Sequence, residues 1–171
     1  MLKSKSKLSL VIGLSAVLTI LFALVFPAVC LKSQTYKASD YTYIFGFTSI
    51  FGGTIVPKGS NMICVLHFNV GAFLNLLFIF IGAALIVVFD KQISSYAFGI
   101  ILFLTSLLLS VFNLRLINDT NGFISGFTPY VYTAFGTYVV IGFCALLIIL
   151  CACNIYILRS ERSRSHRRKS R

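Results

Sequence analysis

Four apolar runs, at about residues 8–31, 66–89, 93–114 and 134–158, constrain this chain more than any other feature. Each exceeds the roughly 20 apolar residues that an α-helix needs to cross a hydrocarbon core about 30 Å thick. At 58% hydrophobic and 11% charged, 171 residues do not carry enough polar surface to enclose a soluble core, so lipid is the expected solvent. Backbone N–H and C=O groups in lipid must be satisfied within the structure, which leaves helices and closed barrels as spanning forms. Unbroken runs lack the alternation of barrel strands. The sequence therefore predicts an all-α membrane protein: a single four-helix transmembrane domain over residues 1–158, followed by a basic tail at 159–171 that is too polar to pack and is expected to be disordered.

The net charge of +11 is concentrated at the ends of the chain. Lys3, Lys5 and Lys7 precede the first run, while Arg159, Arg162, Arg164, Arg167, Arg168, Lys169 and Arg171 follow the last. The positive-inside rule then puts both termini in the cytoplasm, which requires an even number of crossings. With that orientation 11 of the 15 Lys and Arg residues, Lys91 of the middle hairpin included, face the cytoplasm of a cell membrane. The first run ends at Pro27, Ala28, Val29 and Cys30 without an A-x-A pattern and is longer than a signal-peptide core, so it reads as an uncleaved anchor.

Helices in a bilayer associate through small residues and interhelical hydrogen bonds, because lipid tails are as apolar as leucine. Small or weakly polar residues therefore mark the expected seams. They are Ser9, Gly13, Ala16, Ala23 and Pro27 in the first span, and His67, Gly71, Asn75 and Gly82 in the second. Ser95, Gly99, Ser106, Ser110 and Asn113 follow in the third, and Tyr130, Thr133, Thr137, Cys144 and Cys151 in the fourth. Offsets of three and four that sum to seven keep one stripe inward and predict a left-handed bundle. These seams either close by packing or surround a polar cavity near His67, Asn75 and Asn113, with Arg115 just beyond.

The first outer loop, about residues 32–65, is expected to be structured or to rest as an aromatic belt at the headgroup level. Tyr41, Tyr43, Phe45 and Phe47 alternate with Thr42, Ile44, Gly46 and Thr48, as in a short strand that Gly52 and Gly53 would turn. A short interfacial helix using Ile44, Phe47 and Phe51 fits the same residues. A second outer loop, about 115–133, repeats part of the first. Tyr130-Val131-Tyr132 before Phe135-Gly136 echoes Tyr41-Thr42-Tyr43 before Phe45-Gly46, a match short enough to arise by chance.

No constellation for catalysis emerges: Asp40, Asp90, Asp119 and Glu161 all fall outside the apolar runs, so no acid and base pair sits at membrane depth. Five cysteines include no C-x-x-C, and neither a metal nor a cofactor is expected. Cys30 and Cys64 flank the first outer loop and are candidates for a disulfide. Asn118-Asp119-Thr120 matches the glycosylation sequon. The tail's basic residues suit anionic headgroups, and the lack of interleaved aromatics argues against nucleic acid. The layout of four spans with a larger first outer loop resembles that of claudins and tetraspanins. The resemblance is confined to layout, since the chain has no tryptophan, no paired cysteines in its loop and no Cys-Cys-Gly. The functional expectation is a non-enzymatic accessory subunit or envelope scaffold that contacts other membrane proteins, copies of itself and lipid. The alternative is a minimal transporter or channel.

Overall fold

The computed structural model describes residues 7–32, 41–56, 63–119, 124–125 and 130–169, of which 32, 113–119, 124–125, 130–131, 162 and 164–169 are described by backbone alone. In chain order the elements are α1 (Lys7–Val25), β1 (Pro27–Lys32), β2 (Tyr41–Phe45), α2 (Gly46–Phe51), β3 (Gly53–Ile55), β4 (Cys64–Leu66), α3 (Val70–Val88), α4 (Ile93–Asp119), β5 (Ile124–Ser125), β6 (Tyr130–Thr133) and α5 (Phe135–Lys169). Four helices are long and apolar enough to cross a membrane: α1, α3, α4 over Ile93–Phe112 and α5 over Phe135–Glu161. They pack in a ring, α1 against α3, α3 against α4, α4 against α5 and α5 against α1. Because every strand lies between α1 and α3 or between α4 and α5, all six gather at one end of the bundle, here called the sheet end.

Three boundaries differ from the apolar runs. The first run divides at Pro27, which cannot continue a helix and disfavours helical geometry in the residue before it, so α1 stops at Val25 and the rest becomes strand β1. The second run begins with strand β4. Asn69 then caps α3, its side chain accepting from the Ala72 N–H at 3.1 Å. His67 therefore precedes the helix and is exposed, rather than sharing a helical face with Asn75. At the other end α5 continues to Lys169, so the segment 159–169, expected to be disordered, is helical. Nothing between Gly142 and Lys169 breaks a helix, and Arg, Lys and Glu favour it. At 1.5 Å per residue, the 35 residues of α5 reach about 20 Å beyond the ~30 Å thickness of a hydrocarbon core.

The segment between α1 and α3 holds a strand and a short helix in succession. Tyr41–Phe45 is strand, Gly46–Phe51 is helix, and Gly52, at φ 83°, makes the reversal into β3 that a side chain would strain. Two antiparallel sheets result, ordered β2-β1-β6 and β3-β4-β5. In the first, Val29, Leu31 and Ile44 turn inward and meet Leu66 of the second, forming a small core separate from that of the bundle. The opposite face carries Tyr41, Tyr43, Phe45 and Tyr132, all exposed.

The bundle core contains Ile12 and Ala16 of α1, Ile79, Ala83 and Ile86 of α3, Tyr96 and Phe103 of α4, and Val140, Cys144, Leu147 and Cys151 of α5. Bulky residues such as Leu14, Val17, Phe80, Ile101, Leu104 and Ile149 face outward. Such a distribution suits lipid, which excludes apolar side chains no more than the core does.

Candidate functional site

Three helices converge on one amide. Asn75, at the second turn of α3, donates from Nδ2 to Ser110 Oγ at 2.6 Å and accepts at Oδ1 from Ser106 Oγ. Ser110 in turn donates to the Ser106 carbonyl at 3.0 Å, and Ser106 Oγ lies 3.5 Å from Cys144 Sγ of α5. Ser106 and Ser110 are four residues apart on α4, so both hydroxyls fall on the face that meets Asn75. The arrangement leaves no polar atom of the two serines stranded in an apolar interior, where an unmet group is costly.

A half-open cavity of about 50 Å³ lies between this cluster and α2. Its walls are Ala23, Ala28, Gly46, Ser49, Ile50, Ala72, Asn75, Leu76, Ser110, Gly136, Thr137 and Val140, contributed by α1, β1, α2, α3, α4 and α5. Two contacts hold α2 in place as its roof: the Gly46 N–H donates to the Phe26 carbonyl at 3.0 Å, and the Asn69 N–H donates to the Ile50 carbonyl at 2.9 Å. Gly46 presses so closely on the last turn of α1 that a Cβ there would coincide with the Ala23 carbonyl oxygen. Thr137 donates to the Ala28 carbonyl at 2.8 Å, joining α5 to β1. Ser49, 2% exposed, finds no hydrogen-bond partner among the described residues, and its side chain lines the cavity.

The cavity's described walls reach no deeper than Leu76, Ser110 and Val140. Below Asn75 the bundle core includes Ile12, Ile79, Phe103 and Leu147, each fully buried. Gly82 and Gly99 let α3 and α4 approach there: a Cβ on Gly82 would stand 2.9 Å from the Phe103 ring, and one on Gly99 would meet Ile86 at 2.5 Å. A second polar group lies at the far end, where Tyr96 donates to the Asp90 carbonyl at 2.8 Å and so ties down the α3–α4 hairpin. Ser9, Ser95 and Asn154 are buried near that end, and the Asn154 amide nitrogen closes no hydrogen bond among the described residues.

Of the residues singled out in the sequence, Asn75, Ser106, Ser110 and Cys144 meet in one cluster, while Asn75, Ser110 and Thr137 line one cavity. Gly82, Gly99 and Ser95 are buried within the bundle, and Gly71 is half-buried at the start of α3. His67 is absent from the cavity wall. The side chains of Asn113, Arg115, Arg162, Arg164, Arg167, Arg168 and Lys169 lie outside the described residues, as does all of Arg171 and the sequon threonine Thr120. Arg159 is exposed on α5. Among the described residues no three potential metal ligands cluster. A short helix was one of two alternatives for this segment, but Ser49 was not singled out from sequence; the signal was there in Gly46-Phe47-Thr48-Ser49-Ile50-Phe51, whose small residues turn inward and whose phenylalanines remain exposed.

Cys30 and Cys64 are free thiols on different sheets, Cys30 on β1 between Tyr43 and Tyr132 and Cys64 on β4 opposite Ile55. Burial pushes both thiols above the ordinary value of 9.0. The thiolate is the reactive form, so both should resist alkylation near neutral pH. Pulse labelling of the folded protein with a maleimide at pH 7.5 should modify each at least ten times more slowly than in the SDS-denatured protein, where all five cysteines become available. The difference should narrow as pH rises past 9, because deprotonation then becomes accessible in the folded state.

Four apolar helices enclosing a sparse, neutral polar interior define a multi-pass α-helical membrane protein. Compared with protein-family models, curated proteins and solved structures, the chain matches none.

Proposed function

We propose that this is a non-enzymatic membrane scaffold or accessory subunit, its termini and basic α5 extension in the cytoplasm and its tyrosine-bearing sheet outside. The supporting observation is the apolar packing below Asn75: among the described residues Ile79, Phe103 and Leu147 are fully buried beneath the Asn75–Ser106–Ser110 cluster, and the Phe103 ring fills the space beside Gly82. Among the described residues that line the cavity none is titratable, which supports a role without acid–base chemistry there. Left-handed crossing of the four seams belongs to the same reading, as do contacts between Arg159, Arg162, Arg164, Arg167, Arg168, Lys169 and Arg171 and anionic headgroups, each worth about 1 kcal/mol close to the surface.

The contact surface would be the exposed row of Tyr41, Tyr43, Phe45 and Tyr132, because aromatic side chains supply large contact area at little conformational cost. The test places a photo-crosslinking amino acid at Tyr43 and, as a control, at the lipid-facing Leu14 in the cell that makes the protein. Tyr43 should yield one discrete protein adduct and Leu14 none. Reconstituted vesicles should show no solute or ion flux above protein-free vesicles. Flux that Phe103→Ala enlarges would instead establish the transporter reading, for which the half-open cavity at Asn75 would be the outer half of a path.

A further inference from the structure

The cavity beneath α2 has a chemical character that scaffolding does not require. Its polar lining consists of Ser49, Asn75, Ser110 and Thr137, all neutral, with no charged side chain among the described residues of its walls. Three of these are already committed in part. Asn75 Nδ2 donates one of its two hydrogens to Ser110, the Ser110 hydroxyl donates to the Ser106 carbonyl, and the Thr137 hydroxyl donates to the Ala28 carbonyl. What remains is one amide hydrogen on Asn75, lone pairs on Ser110 and Thr137, and the whole hydroxyl of Ser49.

Ser49 is the decisive member. It is 2% exposed, it is set in the roof with its side chain on the half-open cavity, and it forms no hydrogen bond among the described residues. A guest that both donates and accepts would satisfy it together with the opposite wall. An anion would face oxygen lone pairs with no compensating cation, and a cation would face the Asn75 amide hydrogen. The remaining walls, Ala23, Ala28, Ile50, Ala72, Leu76 and Val140, are apolar, and the cavity's 50 Å³ holds roughly one or two groups the size of water at ~30 Å³ each.

We propose that the cavity roofed by α2 is a binding site for a single neutral hydroxyl group, held between Ser49 and the Asn75–Ser110–Thr137 wall, with the apolar remainder of the guest lying at the opening. The hydroxyl belongs either to a membrane lipid with an alcohol head or to a small dissolved alcohol. The site is independent of the scaffold reading, since it concerns what fills the cavity and not whether the axis conducts.

The experiment uses the full chain in detergent micelles and a hexadecanol carrying a diazirine near its hydroxyl, compared with the matching methyl ether, which cannot donate. Adducts are located by mass spectrometry. The alcohol should label α2 and the facing turns of α3 and α5 at least five times more strongly than the ether. Ser49→Ala and, from the opposite wall, Ala72→Val should each reduce that labelling at least fivefold while the melting temperature stays within two degrees or so. Competition by unlabelled hexadecanol alone identifies a lipid alcohol as the guest, and competition by millimolar butanol identifies a small one. Equal labelling by alcohol and ether, labelling unchanged in both variants, or no adduct at the cavity because water alone fills it, overturns the proposal.

Discussion

Gly46→Ala should detach the roof helix from the bundle and cost about 3 kcal/mol, the upper end for an overpacked site, because the obstacle is backbone. The new methyl group would occupy the position of the Ala23 carbonyl oxygen and press on the Leu24 Cα, neither of which can rotate away. Removing α2 from α1 would also break the Gly46 to Phe26 hydrogen bond and expose the cavity wall. Gly136→Ala should act similarly at the start of α5, where a Cβ would stand 2.6 Å from the Pro27 carbonyl oxygen and 2.9 Å from Phe26 Cβ. Gly142→Ala supplies the control. No neighbour lies within 4 Å of that position, so the substitution should be neutral or should stabilise α5 by up to about 1 kcal/mol through helix propensity. Thermal unfolding in micelles ranks the three, and limited proteolysis between residues 46 and 56 reports the loss of α2 directly. Equal melting temperatures for the three variants would mean that the α1–β1 junction is not the close contact described.

The two sensitive glycines stand at corresponding places in the two strand-bearing segments. β2 and β6 pair with opposite edges of β1, and Tyr43 and Tyr132 stand at the same register position, each across from Cys30. Each strand then leads through a phenylalanine and a glycine into a helix that abuts the α1–β1 junction. The repeated pattern was visible in the sequence, but its meaning was not: β1 lay hidden inside an apolar run, and strand pairing is a long-range property that periodicity does not reveal. Length and hydropathy sufficed for the four spans, since lipid imposes one local rule on every backbone group. The small-residue stripes located Asn75, Ser106, Ser110 and Cys144 for a related reason, as close helix contact has few compatible side chains. His67 was misplaced because apolar strand β4 and helix α3 merge into one hydropathy peak, with only the Asn69 cap to separate them. Ser49 escaped notice because a serine in a six-residue helix carries no signal until the neighbouring elements enclose it.

Phe103 and Gly82 provide the second large effect, and it tests the apolar packing below Asn75. Phe103 is fully buried, and its ring occupies the space that Gly82 leaves open on α3. Phe103→Ala should therefore cost about 3–5 kcal/mol, as expected for deleting a buried aromatic ring, with van der Waals contact rather than hydrophobic transfer as the dominant loss in lipid. Gly82→Val should also destabilise, by about 1–3 kcal/mol, because its Cβ would reach within 2.9 Å of the ring and displace it. Combined, the two changes oppose each other, since the valine enters part of the volume that the ring vacates. The double variant should then be more stable than the sum of the single effects predicts by about 1–3 kcal/mol, the coupling seen between residues in direct contact. Equilibrium unfolding of the four proteins in mixed micelles measures that coupling. Strict additivity would separate the two residues physically and, with them, remove the apolar packing below Asn75 that supports the scaffold reading.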